Sequence, residues 1–299
     1  MYAIGPPVPG APPAPGRLRI SAGARRAFTG PAAIAARPDH RPHLHAYLSD
    51  LVRPYQLTLR PDGHGHSYGE MAAALIPELV PADRPVGVVV LAFAVPDVRP
   101  GRATATYLGE LCPGSPLTFA VCDQGAAAGY TGMRLAGEYA RAGDCPGALL
   151  LVVEQAALPY DVGLPVHLPP AHRAVGLRLD RTGPAVVRTV RQHAGVAPGR
   201  VAELLAGELA GAAAGGWGEL RLIADPDLAG ELAGELAGGS VDGPIRVVPA
   251  SRGHTGGWWE LAGALAAPEQ PDAGRVVLAS YDRQLGYLCV SVVDIGPDR

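Results

Sequence analysis

The sequence of 299 residues predicts an α/β protein, and the order of its apolar runs carries that prediction. Between residues 86 and 154, short runs rich in Val, Leu and Ala alternate with segments of helical pattern. A similar strand–helix alternation recurs between residues 171 and 293. Alternation of this kind favours a fold in which helices cover sheets.

The best-defined elements lie in the first stretch. A buried strand is predicted at Val86–Ala94, followed by a Pro-Asp turn and a helix with small residues. A second strand, Leu117–Cys122, runs through a turn of small residues into a helix at Ala126–Ala142. The third strand, Gly147–Glu154, ends in an acidic residue.

The segment before this unit is less regular. Residues 1–16 are rich in Pro and Gly and are expected to form an extended, mobile tail. Arg17–Ser21 is a candidate first strand within an otherwise irregular stretch that ends near residue 62. Ser67, with Glu70 three residues later and an apolar run beyond, has the pattern of a capping box. It predicts a helix over Ser67–Leu79.

The second stretch is predicted to contain both strands and helices. Its first two strands, Ala171–Asp180 and Thr182–Gln192, are expected to form a hairpin because Thr182-Gly183 lies near a turn. The remaining predicted elements are strands at 220–224, 245–249, 275–281 and 285–293 and helices at 199–214, 226–237 and 255–267.

Composition excludes several classes of function. All 25 basic residues are Arg, so chemistry that needs a lysine, such as a Schiff base or a P-loop, is excluded. The formal charge of −3 provides no global basic footprint for nucleic acid. No apolar run reaches about 18 residues, and no secretory leader is recognisable. We therefore expect a cytoplasmic protein that binds neither nucleic acid nor membrane.

No metal site is predicted. The four cysteines, Cys112, Cys122, Cys145 and Cys289, show neither C-x-x-C pairing nor another metal spacing. His64-Gly65-His66 is an H-x-H pair, but no nearby Cys or carboxylate pattern completes a set of ligands. A solvated loop is the expected interpretation.

The motif order resembles that of a known family. The first strand ends near Pro96-Asp97, the second runs into Asp123–Gly129, and the third ends at Glu154. These units are similar to the N-terminal half of the β-ketoacyl-acyl-carrier-protein synthase III family, where they read "T-P-D", "A-C-S-G" and a strand ending in an acid. In the second half, Gly253–Gly257 lies where the family has "G-N-T-S-A", and Val276–Val293 matches its closing hairpin.

The resemblance covers roughly residues 66–299 and implies a thiolase-like, five-layer αβαβα fold with two pseudo-duplicated halves. We expect the halves at residues 17–165 and 166–299, with the second shortened in the region that helps to shape the family's acyl tunnel. It also implies a dimer in which Leu117–Cys122 lies near the two-fold interface. Whether the partner is a second copy or another thiolase-fold chain stays open.

The family's Cys-His-Asn catalytic residues are not retained in this sequence. The nucleophile position falls on Ala126 when aligned from the helix, or on Gly125 when aligned from the strand. The family's "H-Q-A-N" segment falls on Asp225-Pro226-Asp227-Leu228. Its asparagine is replaced by His254, and the chain contains no Asn at all.

Three residues are candidates for residual chemistry. Cys122 is either a displaced nucleophile near a helix N-terminus or a buried strand cysteine. Gln124 either polarises a thioester carbonyl or is an ordinary turn residue. His254 either acts as a base or oxyanion donor or is a packed residue at a helix entry. Asp225 and Asp227 are expected to be helix caps.

Three functions follow from these alternatives. The first is a catalytically degenerate subunit that partners a thiolase-fold chain in acyl-thioester biosynthesis of a polyketide, fatty-acid-like or specialised metabolite. The second is a repurposed acyltransferase or condensing enzyme that uses Cys122 or His254. The third is a non-catalytic binder of an acyl chain or an acyl carrier protein, which the arginines at 17, 19, 25 and 26 could contact. No resident cofactor is expected, and a coenzyme A or phosphopantetheine thioester is a possible substrate.

Overall fold

The computed structural model describes residues 19–60, 65–99, 101–142, 145–163, 168–214, 220–225, 228–230, 232, 245–251, 253–266 and 273–296. The predicted tail at 1–16 and most of the helix predicted at 226–237 lie outside these residues. The strands are β1 (Arg19–Phe28), β2 (Thr58–Leu59), β3 (Val88–Ala92), β4 (Leu117–Val121), β5 (Ala148–Glu154), β6 (Tyr160–Asp161), β7 (His172–Asp180), β8 (Ala185–His193), β9 (Leu220–Ala224), β10 (Ile245–Pro249), β11 (Gly274–Asp282) and β12 (Tyr287–Ile295). The helices are α1 (His40–Val52), α2 (Tyr68–Ala73), α3 (Ile76–Leu79), α4 (Thr104–Glu110), α5 (Ala127–Ala142), α6 (Val201–Ala213) and α7 (Gly256–Ala266).

Strand order repeats between the two halves. The first five long strands lie in the order β4-β3-β5-β7-β1, and the last five lie in the order β10-β9-β11-β12-β8. In each set the first three strands of that order are parallel and the other two pairings are antiparallel. A short pairing of β1 with β8 joins the sets into one ten-stranded sheet. The internal duplication expected from the sequence is therefore present.

The hairpin predicted between Ala171–Asp180 and Thr182–Gln192 is wrong. The strands exist as β7 and β8, but β1 lies between them and pairs with both. Strands that follow each other in the chain need not pair in the sheet, and here β1 pairs with β7 where the prediction placed β8. Because β7 belongs topologically with the first five strands, we propose that the boundary between the halves lies at 181–184 and not at 165/166.

Helices and half-sheets alternate in five layers, as the resemblance implied. Helices α5 and α7 form the central layer, and their buried faces pack against strands of both halves. Helices α2, α3 and α4 cover the outer face of the first half-sheet, and α6 covers that of the second. Strand β3 is covered on both faces, which explains why its sequence is apolar throughout. All five of its residues are buried, and successive side chains face the central layer and the outer helices in turn.

Two local differences from prediction have clear causes. The capping box is present, because Ser67 Oγ accepts from Glu70 N at 3.2 Å and Glu70 Oε2 accepts from Ser67 N at 2.9 Å. The helix predicted at Ser67–Leu79 is nevertheless divided into α2 and α3, since Pro77 has no N–H to continue the hydrogen-bond ladder. Helix α1 was missed, although Leu44, Leu48 and Val52 are buried at helical spacing.

Candidate functional site

The elbow, residues 122–126, joins the carboxyl end of β4 to α5, as the sequence predicted. Asp123 and Gly125 both have left-handed backbones, with φ of 59° and 49°. Asp tolerates this region better than most residues, and Gly tolerates it without strain. Ala127 N donates to Gln124 O at 2.9 Å, which starts the helix directly after the turn.

The side chain of Asp282 fills the space beside this elbow. Asp282 Oδ2 accepts from Ala126 N at 3.1 Å, so the carboxylate caps the N-terminus of α5. Its Oδ1 accepts from the backbone of Gln284 and Leu285 at 3.1 and 3.0 Å. A Cβ added to Gly125 would lie only 1.8 Å from Asp282 Oδ2. Position 125 therefore has no room for a side chain while Asp282 stays in place.

Sequence reasoning missed Asp282, because 156 residues separate it from the elbow. One feature of the sequence could have pointed to Asp282. It is the last residue of β11, in the closing hairpin that resembles the family's. Which turn of the second half reaches the elbow depends on how the two half-sheets pack together, and no local pattern encodes that packing.

The thiol of Cys122 lies at the elbow but is not activated. The residue is half-buried, and its Sγ lies 3.1 Å from Asp123 Oδ2. Burial raises the pKa of the Cys122 thiol, and the hydrogen bond to Asp123 and the charge of that carboxylate raise it further. Because the thiolate is the nucleophilic form, this environment opposes the nucleophilic role.

Gln124 is tied to its own helix. Its Oε1 accepts from Thr131 Oγ1 at 2.6 Å, and Thr131 in turn accepts from Gln192 Nε2 at 2.9 Å. Gln192 Oε1 accepts from Arg134 Nη1 at 2.8 Å. The network connects the elbow to β8 and fixes the Gln124 carbonyl toward α5.

His254 is held inside the protein by both ring nitrogens. Nε2 lies 2.9 Å from Val153 O, and Nδ1 lies 3.2 Å from Glu154 Oε1. Both partners are acceptors, so the arrangement is satisfied when both nitrogens carry a proton. Burial alone would lower the pKa of His254, but the charge of Glu154 and the hydrogen bonds to Glu154 and Val153 raise it. No ring nitrogen is left to contact a substrate, which opposes a catalytic role.

Glu154 is the acceptor around which this corner is built. Its carboxylate also accepts from His254 N, Thr255 N and Thr255 Oγ1 at 3.1, 2.9 and 2.6 Å, directly before α7. Burial alone would raise the pKa of Glu154, but His254 and Thr255 lower it. Sequence reasoning noted this acid only as the end of a strand.

The other predicted positions have structural contacts or lie outside the described residues. Asp225 Oδ1 accepts from Leu228 N at 2.9 Å, which is a capping contact, while Asp227 lies outside the described residues. His64 also lies outside them; the ring of His66 packs 5.4 Å from that of Phe28. Within the described residues no group of three or more His, Cys, Asp or Glu side chains could hold a metal ion.

Of the arginines proposed to contact a carrier protein, Arg25 already binds another part of this chain. Arg25 donates to Trp259 O at 2.9 Å, and its guanidinium lies 5.1 Å from the Trp259 ring. Arg173 lies 4.5 Å from the same ring. Arg17 lies outside the described residues.

Comparison with solved structures agrees with the duplicated topology. The chain is similar to ChlB3, an acyltransferase, with a TM-score of 0.65 at 14% identity over 93% of this chain and 98% of that one. The similarity to AbyA1, a tetronic acid condensing enzyme, has a TM-score of 0.64 at 14% identity over 93% and 100% of the chains. The chain has a thiolase-like fold.

A third thiolase-fold neighbour is 3-oxoacyl-(acyl carrier protein) synthase III from Pseudomonas aeruginosa, with a TM-score of 0.60 at 15% identity over 94% of this chain and 99% of that one. Comparison with protein-family models gave no match, and neither did comparison with curated protein sequences. At these identities the neighbours establish the thiolase-like fold. Any inference about chemistry has to come from the residues of this chain. None of the helices in the described ranges is long and apolar enough to cross a membrane.

Proposed function

We propose that this protein is a catalytically degenerate thiolase-fold subunit that acts in the cytoplasm, in acyl-thioester biosynthesis, as the partner of another thiolase-fold chain or of its own copy. Three thiolase-fold neighbours are named as an acyltransferase, a condensing enzyme and an acyl-carrier-protein synthase, which supports the acyl-thioester setting. The degenerate role is inferred from the elbow of this chain.

The observation that carries the proposal is the contact between Asp282 and the elbow. A carboxylate takes the space of a side chain at Gly125 and caps the helix N-terminus. In a working thiolase-fold enzyme, that N-terminus would help to activate a thiol. The engaged nitrogens of His254 and the raised pKa of Cys122 point the same way.

The partner surface is proposed at the outer edge of β4. This strand ends the sheet, and within the described residues no other strand pairs with its outer side. Three apolar side chains on or near it are exposed: Leu111 at 42%, Leu117 at 51% and Tyr139 at 42%. An open strand edge flanked by apolar side chains is typically covered by another chain.

The test is intact-protein mass spectrometry after incubation with a panel of acyl-coenzyme A and acyl-carrier-protein thioesters. We expect no mass gain with any donor. A gain that is lost in Cys122→Ala would overturn the degenerate role and make Cys122 a working nucleophile. A gain that persists in Cys122→Ala would overturn it equally and direct the search to another residue.

An acyltransferase that uses Cys122 is the second candidate, and one observation favours it. The thiol is half-exposed at the elbow, and Asp123 lies within reach to accept its proton. Gln124 and His254 contribute nothing to this candidate in the observed geometry, since Gln124 Oε1 and both His254 nitrogens are bonded internally. A non-catalytic acyl-chain or carrier binder is the third candidate. It differs from a subunit that needs another thiolase-fold chain in being soluble when produced alone.

A further inference from the structure

A cavity lies at the opposite end of the parallel strands from the elbow. It has a volume of about 440 Å³ and is lined by residues that precede β3 and β5, by the end of β7 and by the residues directly after it. This size lies within the usual range for small-molecule sites. The lining includes the half-buried thiol of Cys145, whose Sγ lies 3.2 Å from Gly147 O.

Positive charge exceeds negative charge in this lining, which contains three arginines, Arg84, Arg178 and Arg181, and one acid, Asp180. Asp180 accepts from Arg178 at 2.7 and 3.2 Å, from Arg84 at 2.9 Å and from Ser21 at 2.5 Å. Its single negative charge is already shared by two guanidinium groups, so the lining keeps an excess of positive charge.

The three arginines differ in how far they are committed to the fold. Arg178 is buried and also donates to the backbone carbonyls of Leu79, Arg84 and Pro85, so it stabilises the wall of the cavity. Arg84 is 53% exposed and uses one nitrogen on Asp180. Arg181 is exposed at the rim. Two guanidinium groups thus have donors directed to solvent at one opening.

We propose that this cavity binds a small anionic molecule carrying a carboxylate or phosphate group. Arg84 and Arg181 would bind the anionic group, since guanidinium donors match both kinds of oxyanion. Buried Arg178 and Asp180 hold the wall rigid. The site is independent of the elbow and of the function proposed there.

Cys145 allows the proposal to be tested in the native protein. The protein is treated at low ionic strength with iodoacetate, which is an anion, or with its neutral analogue iodoacetamide. Peptide mass spectrometry gives the ratio of the two rates at each cysteine, normalised to the same cysteine in the urea-unfolded chain. We expect the normalised ratio at Cys145 to be roughly five-fold or more above that at Cys122, whose thiol lies beside Asp123.

Variants and competitors separate binding in the cavity from the general field of the protein. Arg181→Gln should lower the Cys145 ratio about two- to three-fold, whereas Arg53→Gln, an equal loss of charge at an exposed arginine outside the lining, should leave it unchanged. Inorganic phosphate should slow Cys145 alkylation by neutral iodoacetamide, which sodium chloride of equal ionic strength should not do. An unchanged ratio in Arg181→Gln, absence of protection by phosphate, or a Cys145 that reacts with neither reagent would each overturn the proposal.

Discussion

At the scale of single residues, a carboxylate organises both the elbow and the corner around His254. Asp282 stands against Gly125, and Glu154 binds both His254 and the start of α7. The sequence directed attention to Gly125, Ala126 and His254, and their role stays a prediction. It did not identify Asp282 as their neighbour, because that contact depends on tertiary packing.

We predict that Gly125→Cys and Asp282→Ala are coupled. Gly125→Cys alone forces its Cβ onto the Asp282 carboxylate and adds a left-handed non-Gly residue, so it should destabilise the fold by about 2–4 kcal/mol. With Asp282→Ala also present, the clash is removed. The double variant should then be at least about 1 kcal/mol more stable than the sum of the single effects. Urea unfolding of the four proteins measures this coupling, and additive effects would contradict the observed contact.

The His254–Glu154 pair predicts a pH-dependent stability. The pKa of His254 is raised above its ordinary 6.5, so its contribution is complete below about pH 6.5 and is lost as pH rises through the higher folded-state value. The pKa of Glu154 is lowered from 4.5, so its contribution is complete above that pH and is lost as pH falls through the lower folded-state value. His254→Gln should cost about 3–5 kcal/mol near pH 6 and less near pH 9.

Urea unfolding of both proteins across this range measures that difference. His193→Gln is a matched control, because His193 also pairs with a glutamate, Glu208 of α6, but is only partly buried. A His254→Gln effect that stays constant from pH 6 to pH 9 would contradict the ionised pair.

At the scale of elements, local patterns predicted individual strands and helices well and their pairing poorly. The bounds of β9 and β10 agree with prediction at both ends, because turn residues flank short apolar runs. The capping box at Ser67 was also predicted, since both partners lie within one helical turn. The position of β1 between β7 and β8 was not, because backbone pairing across 150 or so residues leaves no local signal.

Asp97 links two helices, and its ionisation is expected to lower the stability of the fold. Its carboxylate accepts from Tyr68 N at 3.0 Å and lies 3.5 Å from Thr104 Oγ1, so it bridges the first turns of α2 and α4. Burial raises the pKa of Asp97 to about 6, against the pull of the hydrogen bonds from Tyr68, Arg99 and Val98. A folded-state pKa above the ordinary 3.8 means that stability declines as pH rises from about 4 to 6.

Asp97→Asn removes this ionisation and keeps an acceptor for Tyr68 N. Relative to the wild type, the variant should therefore gain about 2 kcal/mol between pH 4 and pH 7. Urea unfolding at the two pH values gives the difference, and Asp39→Asn, at an exposed carboxylate, is the control for a general charge effect. If both variants changed the free energy of unfolding equally between the two pH values, the burial of Asp97 would not be the cause of the pH dependence.

At the scale of the whole molecule, the sheet formed by the described residues ends in two outer strands, β4 and β10, and the two differ in composition. β10 ends in Pro249 and carries a charged side chain at Arg246, two features that discourage pairing with another strand. β4 carries no charge and no proline along Leu117–Val121. This asymmetry supports the proposal that a partner chain is bound at β4 and not at β10.

We predict that Leu117→Asp weakens assembly through β4 without unfolding the monomer. The Leu117 side chain is 51% exposed, so the substitution removes little core packing but places a carboxylate at the open strand edge. The dissociation constant of the self-assembled or partner-bound state should rise at least about tenfold, equivalent to about 1.4 kcal/mol. Sedimentation velocity over a concentration series measures it, with Tyr55→Asp, at a 73% exposed position on another surface, as the control. Equal assembly of both variants, or a wild-type chain that stays monomeric alone and with thiolase-fold partners, would remove β4 as the interface.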